Sequence, residues 1–103
     1  MERSELLQRV KAILTETYGS RLRGLLLFGS EARGTAGPDS DIDLLVLLEG
    51  PVTWEDSHKT IRVLYPLVLE SERVIHCYEM DIKEYQSQNW PLARSVKSEG
   101  IPV

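Results

Sequence analysis

The segment Leu25–Leu48, LLLFGSEARGTAGPDSDIDLLVLL, decides the fold because it holds two apolar runs joined by a polar loop. Each run is apolar at consecutive positions, which is typical of a strand that is buried on both faces. We therefore predict strands over Arg21–Phe28 and Asp41–Leu48, lying side by side in the centre of a mixed sheet. The loop that joins them should then lie at one end of the sheet, beside a cleft.

Two carboxylates, Asp41 and Asp43, stand at the start of the second predicted strand. Side chains two residues apart in a strand point to the same face, so these carboxylates should be neighbours. Neighbouring carboxylates repel each other and lose hydration when they are buried, unless a cation lies between them. Their oxygen atoms favour a divalent ion such as Mg²⁺, whose coordination substrate phosphates complete. The plainer interpretation is a pair of residues that caps the entrance of the strand.

The polar loop supplies groups that can bind a phosphate. Gly29 directly follows the first predicted strand, and Ser30 begins a predicted helical turn over Ser30–Arg33. Glycine permits close approach of a ligand to the backbone, and backbone N–H groups with a hydroxyl at a helix start bind phosphate oxygens. Arg33 either contacts a phosphate or supports the loop by pairing with an acid. The segment as a whole therefore predicts nucleotide chemistry with a metal ion.

The rest of the chain predicts helices and one more strand around this segment. The first helix should begin with Ser4 as its N-cap and end at Gly19, because apolar residues recur between them with helical spacing. A second helix should follow Thr53, its predicted N-cap, and Pro66 should kink it or end it early. A third strand is predicted over Arg73–Met80 from its β-branched and aromatic residues.

The tail should form one or two short helices, interrupted at Pro91 and ended at Gly100. The resulting order is helix, strand, strand, helix, strand, helix. This order predicts an α/β (α+β) architecture, with a small mixed sheet flanked by helices. At 103 residues, the whole chain from 1 to 103 is expected to be a single domain.

Composition narrows the functional classes. The formal net charge is −4, which argues against broad binding of nucleic acid, since that needs a basic surface. The single cysteine, Cys77, excludes an internal disulfide and fits a reducing cytoplasm. No apolar run is long enough to cross a membrane. We therefore expect a cytoplasmic protein that does not bind membranes.

The stretch GSEARGTAGPDSDID resembles the signature of the polymerase β-like nucleotidyltransferase superfamily, in which Gly-Ser precedes Asp-x-Asp at the start of a strand. The matching positions are Gly29, Ser30, Arg33, Gly34, Ser40, Asp41 and Asp43. The small size is similar to that of the minimal nucleotidyltransferases, called MNT proteins. The ending PLARSVKSEGIPV is more loosely similar to the close of many such proteins.

The resemblance implies the fold of that superfamily and a set of roles. Asp41 and Asp43 would be the catalytic and metal residues, holding Mg²⁺ (or Mn²⁺) on a nucleoside triphosphate, most simply ATP. Gly29 and Ser30 would bind the β and γ phosphates, with Arg33 as a further nucleotide contact. The family's third carboxylate, on a later strand, is not evident in this sequence. His76 falls nearest its place, and Glu79 falls on the opposite face of the strand.

Two functions follow from the resemblance. The first is an enzyme that transfers a nucleoside monophosphate, AMP from ATP, to an acceptor. The second is an antitoxin that neutralises a HEPN-domain toxin by forming a complex with it, with weak catalysis or none. Because no part of the 103 residues is left to bind an acceptor, a protein partner should supply it. A homodimer is also open.

Overall fold

The computed structural model of the chain describes residues 1–29, 32, 34, 40–87 and 91–103, except the side chains of residues 92 and 95. The elements are α1 (Arg3–Tyr18), a 3₁₀ turn (Gly19–Arg21), β1 (Leu22–Phe28), β2 (Ile42–Leu48), α2 (Trp54–Ser71), β3 (Ile75–Asp81), α3 (Ile82–Ser87), α4 (Pro91–Glu99) and β4 (Ile101–Pro102). They form a mixed α+β structure, as predicted. No helix in the described ranges has the length and apolar character that a membrane span requires.

The sheet has the strand order β3-β2-β1-β4. β1 pairs antiparallel with β2 and with the short β4, and β2 pairs parallel with β3. The two strands of the opening segment are therefore the central strands, which confirms the prediction. Strand β2 is the more deeply buried, since five of its residues in succession, from Leu44 to Leu48, are buried.

Alternate residues of β2 feed two separate apolar clusters, one on each face of the sheet. On one face, Leu44 and Val46 pack with the buried residues of α1 and with Leu64 and Leu67 of α2. On the other face, Leu45 and Leu47 pack with Met80 of β3 and with Ala93 and Val96 of α4. The apolar run in the sequence is continuous because both faces of this strand are covered by helices.

The predicted ends of the first elements differ slightly from the observed ones. Helix α1 begins one residue before Ser4, and its N-cap is Glu2, which makes no capping bond through its side chain. Gly19 ends the helix as predicted, with a φ of 57° that glycine adopts without steric cost. Strand β2 begins at Ile42, so Asp41 lies just before the strand and not within it.

Helix α2 contradicts the prediction that Pro66 would end it early. It continues to Ser71, and Leu67, directly after the proline, is 2% exposed in the main core. Burial of Leu67 offsets the one backbone hydrogen bond that proline cannot make. The start of α2 agrees with the prediction, because the Thr53 side chain accepts a bond from the Asp56 N–H while Asp56 accepts from the Thr53 N–H.

The last elements agree with the sequence except for one strand. Pro91 is the first residue of α4, where its missing N–H costs nothing, and the helix ends at Glu99, directly before Gly100. Strand β3 covers Ile75–Asp81, close to the predicted range. The short strand β4 was not predicted, because two residues carry no readable alternation. It forms because Ile101 and Pro102 pair with Leu27 and Leu26 of β1.

Asp56 links α2 to the 3₁₀ turn that follows α1 and gives a testable contribution to stability. It is 6% exposed and accepts two hydrogen bonds from Arg21, with N–O distances of 2.9 and 3.2 Å. These bonds from Arg21 hold the pKa of the Asp56 carboxyl below its ordinary value, against the opposing effect of burial. The charged carboxylate is therefore the stabilising form.

We expect Asp56→Ala to lower the free energy of unfolding by about 2 kcal/mol at pH 7, since it removes a helix cap and a charge-assisted bond. Because the folded pKa is lowered, this contribution is complete above the unfolded pKa of about 4 and disappears as pH falls through the folded pKa. Urea unfolding of both proteins at pH 7 and at lower pH measures it. Glu70→Ala, which breaks an exposed pair with Arg9, is the control and should change little.

Candidate functional site

Three strand ends meet at one edge of the sheet. β1 runs towards this edge and ends at Phe28, while β2 and β3 start from it. In the register of the sheet, Asp43 of β2 lies between Phe28 of β1 and His76 of β3. Residues paired across a sheet share a face, so His76 is on the face of Asp43. The topology therefore brings the predicted carboxylates and the predicted histidine together.

Gly29 lies directly against the carboxylate of Asp43. Its φ is 74°, and a Cβ atom at this position would come within 2.5 Å of Asp43 Oδ2. The predicted need for glycine after β1 thus has a definite cause: the backbone turns in a conformation that L side chains rarely adopt, and the carboxylate occupies the space where a side chain would be. The absence of a side chain at residue 29 therefore leaves the space that the Asp43 carboxylate occupies at the turn.

We expect Gly29→Ala to displace the Asp43 carboxylate and to weaken divalent metal binding at least about tenfold, the lower end of what supporting contacts contribute. Gly34→Ala is the matched control, because Gly34 has a φ of 75° and no atom of a described residue lies within 4 Å of its Cβ position. Both variants should lose a similar amount of stability, about 1–2 kcal/mol, from the left-handed backbone alone. Mn²⁺ binding by electron paramagnetic resonance separates them, and equal Mn²⁺ affinities would contradict the contact's role.

Asp41 is held by His76. The His76 Nε2–H donates to Asp41 Oδ2 over 2.9 Å, and both side chains are about half exposed. This bond places Asp41 on the same side of the sheet as Asp43, as the spacing predicted. The Nε2 nitrogen that donates to Asp41 has no free lone pair, so in this arrangement His76 positions the carboxylate.

Glu79 does not join the site. It accepts a hydrogen bond from the Ser57 hydroxyl of α2 at 3.2 Å, on the other face of the sheet from His76. The prediction that His76 and Glu79 lie on opposite faces of β3 is therefore confirmed. Glu79 does not supply a third carboxylate at this site. Cys77 shares the face of Glu79 and packs against the main core, where burial raises the pKa of its thiol to about 12. Cys77 is therefore a small packing residue.

Arg73 is a positioning residue that the sequence did not reveal. Its guanidinium donates two hydrogen bonds to the carbonyl oxygen of Ser40, at 3.2 and 2.7 Å. Ser40 immediately precedes Asp41, and the Ile42 N–H bonds to the Val74 carbonyl at 2.9 Å. These contacts join the segment before β2 to the segment before β3. No local pattern signals this, because the partner is a backbone carbonyl distant in sequence.

An aromatic pair lies next to the carboxylates on the same face. The rings of Phe28 and Tyr78 are 5.6 Å apart between centroids and tilted by 58°. Tyr78 is 44% exposed, so one face of this pair is open to a ligand. Its position two residues after His76 in β3 was the available signal, since alternate strand residues share a face. Such a surface can stack with a planar ring such as a nucleobase.

The donor set at this edge fits Mg²⁺ or Mn²⁺ bound with a nucleotide. Asp41 and Asp43 offer hard carboxylate oxygens, and such ions are bound in proteins by one or two carboxylates with substrate phosphates completing the shell. Among the described residues no group of three or more His, Cys, Asp or Glu side chains is arranged to hold a metal. Two carboxylates leave room in the coordination shell of such an ion for the phosphates of a ligand.

The two remaining site predictions, Ser30 and Arg33, lie outside the described residues. A cavity of about 500 Å³ lined by described residues lies elsewhere, beside the part of β1 that β4 does not pair with, near Gly24 and Val103. It is not the candidate site, because none of its lining residues carries a carboxylate. We therefore choose the candidate site from the chemistry of Asp41 and Asp43 and not from the size of a cavity.

The family described as "Nucleotidyltransferase domain" matches residues 3–103. The chain belongs to this family. Its match covers both central strands, the Gly29 turn and both carboxylates. The nucleotidyltransferase resemblance read from the opening segment is thereby confirmed at the level of the family.

Among curated proteins, the nucleotidyltransferase chain is similar to MJ1305 of Methanocaldococcus jannaschii, a candidate protein adenylyltransferase. The two are 44% identical over 59 residues, which is 56% of this chain and 37% of that protein. The chain thus spans well under half the length of this relative.

Two solved structures share the fold. A candidate minimal nucleotidyltransferase is 28% identical, with a TM-score of 0.66 over 100% of this chain and 97% of that chain. A toxin–antitoxin complex solved with AMP-PNP contains a chain that is 18% identical, with a TM-score of 0.66 over 98% of this chain and 72% of that one. The predicted polymerase β-like nucleotidyltransferase fold is confirmed by this agreement in architecture.

Proposed function

We propose that this protein transfers AMP from ATP, with Mg²⁺ or Mn²⁺, to a hydroxyl group of a protein partner, and that the partner is a HEPN-type toxin. The observation that carries this is the juxtaposition of Asp41 and Asp43 at one sheet edge, with Gly29 seated against Asp43. Carboxylates so placed, next to a turn that exposes backbone, are what a metal–triphosphate requires.

The comparisons support the two parts of the proposal separately. MJ1305 is named for protein adenylylation, which favours AMP as the group and a protein as the acceptor. A neighbour in fold belongs to a toxin–antitoxin complex with an ATP analogue, which favours a toxin as the partner. The HEPN assignment rests on the resemblance to minimal nucleotidyltransferases.

In the proposed reaction the acceptor hydroxyl loses its proton to water and its oxygen bonds to the α-phosphorus of ATP. The bond from that phosphorus to the oxygen that bridges the α and β phosphates breaks, and pyrophosphate leaves. The bound metal would neutralise charge that develops on the phosphates. Asp41 and Asp43 would hold that metal, and the absence of a Cβ at Gly29 leaves room for the Asp43 carboxylate. The pair of Phe28 and Tyr78 offers the base a surface, so the chain contributes mainly positioning.

A second candidate is favoured by one observation, the presence of His76 where the family's third carboxylate would stand. Its Nε2–H is bonded to Asp41, so it is not arranged to take a proton from an acceptor through that nitrogen. A protein with this site would bind a nucleotide and turn over slowly. It would then neutralise the toxin by forming a complex with it.

The test is mass spectrometry of a HEPN-domain partner, encoded beside this protein, after incubation with ATP and Mg²⁺. Wild type, Asp43→Asn and His76→Ala are compared. An AMP adduct that is lost in Asp43→Asn supports transfer, and its persistence in His76→Ala shows that the histidine is not an essential base. No adduct, with a stable complex still formed, favours the binding antitoxin. Neither adduct nor complex contradicts both.

A further inference from the structure

The outer face of α2 carries an apolar stripe that the fold leaves uncovered. Trp54, Ile61, Tyr65 and Leu69 are 71%, 67%, 57% and 61% exposed. Residues separated by three or four positions, or by seven, lie on one side of a helix, so these side chains form one row. His58 completes the row, with its ring edge-on to the Trp54 ring at 5.2 Å. We call these five residues the outer stripe.

The outer stripe is not part of the core of the chain. The opposite side of α2 contributes the buried residues Asp56, Thr60, Leu64 and Leu67. Single exposed apolar side chains are ordinary, but a contiguous row that includes tryptophan and tyrosine is typical of a protein interface. The helix is therefore apolar on two sides, and the second side lacks a contact within the described part of the chain.

We propose that the outer stripe pairs with the outer stripe of a second copy of this chain, with the two α2 helices antiparallel. Residues 54, 58, 61 and 65 are symmetric about the midpoint between residues 59 and 60. A two-fold axis at that point therefore places Trp54 opposite Tyr65 of the second copy, and His58 opposite Ile61 of the second copy. A two-fold interface needs this self-complementarity. The spacing of four, three and four residues along the outer stripe is typical of helices that pack side by side in a coiled coil.

The charges beside the outer stripe match the same pairing. Glu55 and Arg62 follow Trp54 and Ile61 directly, so both lie along the same flank of the stripe. In this antiparallel arrangement, Glu55 of one copy lies close to Arg62 of the second copy. Their positions along the helix axis differ by two residues, or about 3 Å. The two-fold axis generates two such pairs of opposite charge. Within the described ranges neither side chain is in an ion pair, so both are available for this contact.

The position of the outer stripe favours a second copy over an acceptor protein. Successive residues of a strand point to opposite faces of the sheet, and Leu44 of β2 packs towards α2. Asp43 therefore lies on the face of the sheet opposite to this helix. A protein bound to the outer stripe would be separated from the site by the helix and the sheet, a distance of about 15–20 Å. A dimer formed through α2 therefore leaves both sites open. This inference is independent of the reaction proposed above.

Sedimentation velocity of the full chain over a range of concentrations tests the proposal. Wild type should form a concentration-dependent dimer, and Ile61→Glu should be monomeric because it places a charge in the centre of the seam. Val74→Glu is the matched control, since Val74 is 50% exposed but follows the end of α2 at Ser71 and is not part of the outer stripe. This variant should dimerise as wild type does. Circular dichroism checks that each variant is folded.

A charge exchange identifies the occupant as a second copy. Glu55→Arg and Arg62→Glu should each weaken the dimer, by about three- to tenfold, because each places like charges opposite one another. The double variant should recover most of the wild-type affinity, since it restores both pairs. A folded wild type that stays monomeric at every concentration overturns the proposal. So does a dimer that persists in Ile61→Glu, or a double variant no better than the single ones.

Discussion

The variant with both Asp41→Asn and Asp43→Asn should lose the metal-dependent part of ATP binding, by at least about 100-fold in affinity. Changes to groups that only support a metal ligand already cost about 10- to 100-fold. The ligands themselves should therefore contribute more. Asparagine keeps the size of each side chain and removes its charge, so the fold of the sheet edge should be retained. Glu79 cannot compensate, because its carboxylate is bonded to Ser57 on the other face of the sheet.

Calorimetric titration with ATP, in Mg²⁺ and again with the metal chelated, measures this effect. Asp81→Asn is the matched control, since Asp81 lies at the far end of β3 and accepts a hydrogen bond from the Lys83 N–H at 3.0 Å. That variant makes the same chemical change roughly 16 Å along the strand from His76. It should bind ATP as wild type does. Unchanged Mg²⁺-dependent binding in the double variant would remove Asp41 and Asp43 from the site.

The sheet could be predicted from the sequence because its determinants are local. Two runs of consecutive apolar residues predict the central strands, since a strand that is buried on both faces has apolar side chains on both faces. A glycine at position 29 could be predicted for the same kind of reason, because a turn directly after a strand favours positive φ, which is a local requirement. The alternation of side chains along β3 correctly placed His76 and Glu79 on opposite faces of the sheet. These features depend on neighbours in sequence, and sequence patterns record such neighbours.

The features that escaped prediction depend on contacts between distant residues. Helix α2 has apolar residues on two sides, and spacing alone does not tell which side meets the sheet. The side that is buried includes Asp56 and Thr60, because Arg21 and the Tyr18 hydroxyl satisfy their polar groups. Trp54, in contrast, lies on the side of α2 that stays exposed.

Pro66 and Arg73 show the same limit in different ways. Pro66 predicted an end to α2, but tertiary packing of Leu67 stabilises the helix beyond it. Arg73 bonds to the Ser40 carbonyl across the sheet edge, and this contact orients the residue before Asp41. The types of residue at the site were therefore predictable, while the groups that hold them in place were visible only in the folded chain.

His76→Asp should have the opposite effect to the loss of Asp41 and Asp43. In the register of the sheet, residue 76 lies beside Asp43, and its side chain already reaches Asp41 at 2.9 Å. An aspartate there would bring a third carboxylate to the edge, where the family resemblance expects one. Without a divalent ion, the added charge should destabilise the fold through repulsion. With Mg²⁺ or Mn²⁺, the same charge should strengthen metal binding and raise transfer about 10- to 100-fold, towards the lower range for a positioned base.

His76→Asn is the matched control, because it differs from His76→Asp only in the carboxylate. Thermal unfolding with and without Mg²⁺ gives a readout that does not need an acceptor. His76→Asp should unfold at a lower temperature than His76→Asn when the metal is chelated, and should gain more stability than His76→Asn when Mg²⁺ is added. If the two variants respond equally to Mg²⁺, residue 76 does not face the metal. In that case the histidine's only role at this edge is to hold Asp41, and the slow-turnover interpretation of the site would need another cause.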